Sequence, residues 1–109
     1  VASTNPQEFP PYPNVYRGSL VLGGNPVPDG TRVFARVGNY QTPTTESKDG
    51  RYEVVVGPPE RRHFGRTITF YILVSGSERM APQSGVFREV QFGGGSPQYL
   101  NNSLDLVYQ

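Results

Sequence analysis

The chain has 109 residues and neither cysteine nor tryptophan; its only imidazole is His63 and its only lysine is Lys48. Without cysteine there are no disulfides, no thiol nucleophiles and no thiolate zinc sites, and one histidine per copy excludes a histidine cluster for a metal. Long apolar runs are missing too. The strongest, residues 68–74, is broken by Thr69 and falls far short of the roughly 20 residues a membrane helix needs. Charge of one sign is scarce, with a formal net charge of +1, so there is no broad basic field for a phosphate backbone and nucleic acid is not an expected partner. No charged-then-apolar leader opens the chain, which reads as a mature product or an excised domain.

Turn formers are abundant instead: 13 glycines and 11 prolines. Length near 110 predicts one domain, and area scaling gives a folded chain that hides roughly 65% of its unfolded surface, enough for one modest core. Residues 1–14 carry Pro6, Pro10, Pro11 and Pro13, which forbid helix and favour an extended lead-in or linker. The domain proper is expected over 15–109.

From residue 15 the pattern takes a period of two. Tyr16, Gly18, Leu20 and Leu22 share one face; Val33, Ala35 and Val37 repeat the pattern, as do Tyr52, Val54 and Val56, then Ile68, Phe70, Ile72 and Val74. Segments 86–92 and 103–108 complete the set, the last with Leu104, Leu106 and Tyr108 together. Residues 40–46 contain Pro43, so that segment should be an edge strand or a broken one. Asp49-Gly50 after Ser47-Lys48 predicts a tight hairpin, because those residues accept positive φ. No segment has a helical period. Seven short alternating stretches separated by turns predict an all-β fold, a seven-stranded antiparallel β-sandwich; a small barrel is the alternative.

The residues Tyr16-x-Gly18-x-Leu20, Pro26-x-Pro28-x-Gly30-Thr31-x-Val33-x-Ala35, Thr45 and Asp49-Gly50-x-Tyr52 resemble the framework of the carboxypeptidase-regulatory-like and Cna B-type modules. These are prealbumin-like, Ig-like Greek-key sandwiches of bacterial surface and secreted proteins. The resemblance covers about residues 15–108. It implies a non-catalytic spacer or accessory domain, extracellular or on the cell surface, whose partners are neighbouring domains of the same polypeptide. Some Cna B-type members form a lysine-to-asparagine isopeptide bond with the lysine near the start of the domain. Arg17 stands in that strand here and Lys48 sits in the hairpin, so no such bond is expected.

No catalytic motif is present, and His63 reads as an exposed loop histidine. There is no phosphate loop, no cofactor signature and no EF-hand, though Asp29, Asp49 and Glu78 could form an irregular cation site; no metal is expected. Asn101-Asn102-Ser103 fits a glycosylation sequon, a pattern that arises often by chance.

If each strand reverses direction, loops 38–41, 57–66 and 93–102 share one end. That end would gather Tyr40, Arg61, Arg62, His63, Phe64, Tyr99, Asn101 and Asn102, aromatic and planar groups of the kind used to bind a glycan or peptide. The outward residues Phe34, Val55, Tyr71 and Leu73 form an expected apolar row, to be covered by the Pro-rich segment, a neighbouring domain or a second copy in a weak homodimer.

Overall fold

A computed structural model describes residues 11–109. Residues 1–10 of the expected lead-in lie outside the described residues, and Asn14 already belongs to the first strand. In chain order the strands are β1 (Asn14–Leu22), β2 (Asn25–Pro26), β3 (Arg32–Val37), β4 (Tyr40–Gln41), β5 (Thr45–Glu46), β6 (Arg51–Val56), β7 (Thr67–Val74), β8 (Ser77–Val86), β9 (Asn101–Ser103) and β10 (Leu106–Tyr108). A single 3₁₀ turn, Arg61–His63, is the helical element among the described residues.

The strands form two five-stranded sheets. In the first, β1 is central. Its one flank carries antiparallel β6 along Asn14 to Ser19 and β2 beyond it. Its other flank carries β9 and then β10, both parallel to it. In the second sheet β3 takes β4 and β5 on one side and β7 on the other, with β8 at the edge.

Alternation decides which residues meet between the sheets. Tyr16, Leu20, Tyr52, Val54, Val56, Leu106 and Tyr108 from the first pack with Val33, Ala35, Val37, Ile68, Phe70, Ile72 and Ala81 from the second. Phe70 is at the centre, edge-on to Tyr16 at 5.2 Å and to Tyr52 at 6.2 Å between ring centroids. The result is an all-β, two-layered structure with one core.

Local chemistry explains the joints. Asp49 (φ 54°) and Gly50 (φ 70°) are both left-handed, and Lys48 and Arg51 exchange hydrogen bonds of 3.0 Å across them, the tight hairpin that Asp-Gly predicts. Pro43 breaks its segment into β4 and β5. The buried Thr42 between them keeps Ala35 paired, its Oγ1 accepting the Ala35 N–H at 3.0 Å.

Three expectations need correction. The sheets are not wholly antiparallel: β8 ends at the pole where β1 begins, so a chain continuing from there alongside β1 must run parallel to it. The sixth strand is not 86–92 but β8, a long edge strand that is exposed over most of its length and buries Ala81 alone, so no apolar period marks it. It is paired through a Ser75-Gly76 turn of positive φ, and Pro82 sits where its register with β7 shifts, as a strand proline should. Finally, Val55 is on β6, in the other sheet from Phe34, Tyr71 and Leu73, so the four do not form one row.

Candidate functional site

The registers place the start of β1, the end of β3, the end of β6, the start of β7, the end of β8 and the start of β9 at one pole. Asn14 stitches the sheets together there: its Oδ1 accepts the Arg88 N–H at 2.8 Å and its Nδ2 donates to the Arg88 carbonyl at 2.9 Å. Loops 38–39, 57–66 and 87–100 therefore converge on this pole.

Segment 87–92, expected to be strand, lies across the pole instead. Phe87 is fully buried; its N–H donates to the Arg66 carbonyl at 3.0 Å and its carbonyl accepts the Gly65 N–H at 2.7 Å. Phe64 stacks on it at 5.0 Å. Arg61 lies over Phe64 at 5.2 Å and pairs with Glu89. Arg88 lies over Tyr99 at 5.4 Å. Together Phe64, Phe87, Arg88, Glu89, Gln91 and Tyr99 line an open groove of about 370 Å³. Aromatic faces beside a guanidinium and a carboxylate can stack on a ring and hydrogen-bond its hydroxyls or amides.

The eight residues expected at this end do not form one constellation; Phe64 lines the groove, and Asn102 only braces it, its Nδ2 donating to the Tyr99 carbonyl at 3.0 Å. Tyr99 lines the groove and Arg61 borders it through Phe64 and Glu89. Arg62 is turned to Glu60, with Nε donating to Oε1 at 2.6 Å. Asn101 lies on the outer face of the first sheet, its Oδ1 accepting from Arg17 Nη1 at 3.4 Å. Tyr40 meets His63 edge-on at 6.5 Å.

His63 itself corrects the sequence reading: it is 2% exposed, not a solvent-facing loop residue. Its Nδ1 and Nε2 lie 3.3 Å from the Glu60 carbonyl and from Asn39 Oδ1. The 3₁₀ turn folds the ring inward, where it anchors the loop. Phe87, Arg88, Glu89 and Gln91 were missed as groove residues because an aromatic flanked by alternating charge resembles a strand. No local signal in the sequence marks them, because Phe64 and Gly65 are brought alongside Phe87 only by the fold.

A second open concavity, of about 460 Å³, separates the edges of β5 and β6. Its rim mixes Arg17, Lys48 and Arg51 with Glu46 and Glu53, and Arg17 is already paired to Glu53 at 2.7 Å. The cation candidates also disperse. Asp29 Oδ1 accepts the Asp49 N–H at 2.8 Å, a turn contact, and Glu78 holds Arg36 with two hydrogen bonds of 3.0 and 2.7 Å. No group of three histidine or acidic residues able to hold a metal occurs among the described residues.

On the outer face of the second sheet Phe34 and Tyr71 stack at 5.3 Å, and the Arg36 guanidinium lies over both at 5.0 and 4.7 Å. That layer covers part of the expected apolar row with the chain's own residues.

Burial raises the ionisation of Tyr16, Tyr52 and Tyr108 above the usual tyrosine range, most strongly for the last two. Asp105 moves the other way, because its carboxylate accepts the Ser19 N–H at 3.0 Å and Arg51 lies nearby. Neither effect builds an acid–base pair in a cleft. No family model, no curated protein and no solved structure matches the chain.

Proposed function

We propose that this chain is a non-catalytic β-sandwich module that spaces or accompanies other domains of a secreted or surface-attached bacterial protein. The observation that carries this reading is the direction of the first and last strands. Because β10 lies beside β1 and parallel to it, with Leu22 opposite Tyr108, the chain enters the domain at one pole and leaves at the other. The two poles are about 26 Å apart along the nine-residue β1, at roughly 3.3 Å per residue. A domain inserted this way holds its neighbours on opposite sides.

The finer fold reading also has support. If β9 and β10 share one lane, β2 and β6 another, and β4 and β5 a third, the ten strands reduce to the seven lanes of a prealbumin-like Greek-key sandwich. That assignment and the kinship with carboxypeptidase-regulatory-like and Cna B-type modules rest on the framework residues. A non-catalytic role agrees with the buried, doubly contacted His63.

Reading the complete parental open reading frame tests the proposal: an export signal and folded domains on both sides are expected, and a gene holding this domain alone would overturn it. The groove favours one second reading, a carbohydrate- or peptide-binding module using Phe64, Arg88 and Tyr99. Glycan and peptide arrays separate the two, since specific retention that is lost in Tyr99→Ala supports binding and an empty array supports the spacer.

A further inference from the structure

In the proposed spacer, tension between neighbours would reach the fold through its two ends. Pulling at those ends draws β1 toward the pole where it begins and β9 and β10 toward the opposite pole. Adjacent strands are then driven past each other along their own axes. Hydrogen bonds between strands run across that direction, so they share the load together and do not open one after another.

We propose that β1 and the β9–β10 pair form a tension-bearing clamp, a property that rests on the spacer reading for its source of load. The ladder runs nearly the whole length of β1. The Val15 N–H donates to the Leu100 carbonyl at 2.7 Å, the Leu104 N–H to the Arg17 carbonyl at 2.9 Å, and the Gly23 N–H to the Tyr108 carbonyl at 3.0 Å. Where β9 gives way to β10 the backbone pairing lapses, and the Asp105 carboxylate fills the gap by accepting the Ser19 N–H at 3.0 Å.

Slippage is opposed by the core. Leu20 and Leu106 are fully buried and Tyr108 is 2% exposed; moving either strand by one residue would turn these side chains to the outside. Peeling is opposed from the far side, where Gln83 Oε1 accepts the Val107 N–H at 2.8 Å and Arg79 Nη1 donates to the Gln109 carbonyl at 3.1 Å. The last strand is thus held by β1 in its own sheet and by β8 in the other. Arg17 adds a lateral tie across the outer face, reaching both Glu53 at 2.7 Å and Asn101 at 3.4 Å.

Single-molecule pulling in two directions tests the clamp on the same folded chain. Because the chain has no cysteine, handles can be set by single exposed cysteines at Tyr12 and Gln109, or at Asn25 and Gln109. The first pair loads the ladder lengthwise; the second, with both handles at the exit pole, opens it bond by bond. The rupture force is expected to be severalfold higher through the ends at equal loading rate, and to fall in that direction in Asp105→Ala. A force through the ends no greater than in the unzipping direction would overturn the clamp. The spacer reading would survive that result, since separating neighbours needs opposite poles and not strength. Conversely, a parental gene without flanking domains would remove the spacer and leave the directional difference in force.

Discussion

At the scale of single residues, close approaches decide more than composition does. A Cβ on Gly18 would lie 2.3 Å from the Leu104 carbonyl oxygen, a backbone atom that cannot step aside. Gly18→Ala is therefore expected to destabilise the fold by about 1–3 kcal/mol, the range of an overpacked core, measured by denaturant titration. The two core tyrosines next to this ladder should behave differently from each other. Tyr52 donates its hydroxyl to the Leu104 carbonyl at 2.6 Å, whereas the buried Tyr108 hydroxyl has no partner among the described residues. Removing a satisfied hydroxyl costs about 1 kcal/mol, while removing an unsatisfied buried one relieves its desolvation penalty. Tyr52→Phe should lower stability and Tyr108→Phe should leave it unchanged or raise it; the reverse order would contradict these hydrogen-bond assignments. Alternation made the inward-facing Tyr16, Tyr52 and Tyr108 legible, but not the hydroxyl partners of Tyr16 and Tyr52, which lie 70 and 52 residues away along the chain.

At the scale of elements, the parallel ladder depends on a carboxylate. The folded state holds Asp105 below the ordinary carboxylate range, first through the Ser19 N–H. An unfolded aspartate titrates near pH 3.9. A pKa lowered by folding contributes stability above the unfolded value and loses it as pH falls through the folded one. Denaturant midpoints recorded from pH 6 downward should therefore decline below about pH 4, with a shallower decline in Asp105→Asn. Identical profiles would show that this carboxylate does not couple the ladder to pH. The elements themselves were unevenly readable. Strands with a clean apolar face, such as β3, β6 and β7, follow from period alone. The edge strand β8 does not, because edge position and not hydrophobicity makes it a strand, and segment 86–92 reads as a strand from its sequence whereas Phe87 and Val90 are buried for a different reason, as the plug of a pole.

At the scale of the whole molecule, three tyrosines share one core, and burial raises the ionisation of each. An unfolded tyrosine ionises near pH 10. The unfolded chain therefore loses these protons first, so stability is complete below that value and is lost as pH rises above it. Chemical denaturation between pH 8 and pH 11 should show a falling midpoint, flattened in Tyr52→Phe relative to the parent chain; a flat parent profile would place these hydroxyls in contact with solvent. The groove, too, exists only at this scale. Phe64 and Phe87 are separated by a complete hairpin, β7 to β8, and become neighbours because that hairpin returns to the pole it left.

Local pattern was enough for the all-β class, for the residues that face inward and for the Asp49-Gly50 turn, since a period of two and a preference for positive φ are properties of neighbours along the chain. Which strands lie side by side was settled by tertiary packing alone. The same alternating segment can pair parallel or antiparallel, at an edge or at the centre, and what selects among these is the pole at which the preceding segment ends and the apolar surface still uncovered there. So the position of β10 beside β1, the inward turn of His63 and the placement of the start of β1 and the end of β10 at opposite poles follow from how the layers close on each other.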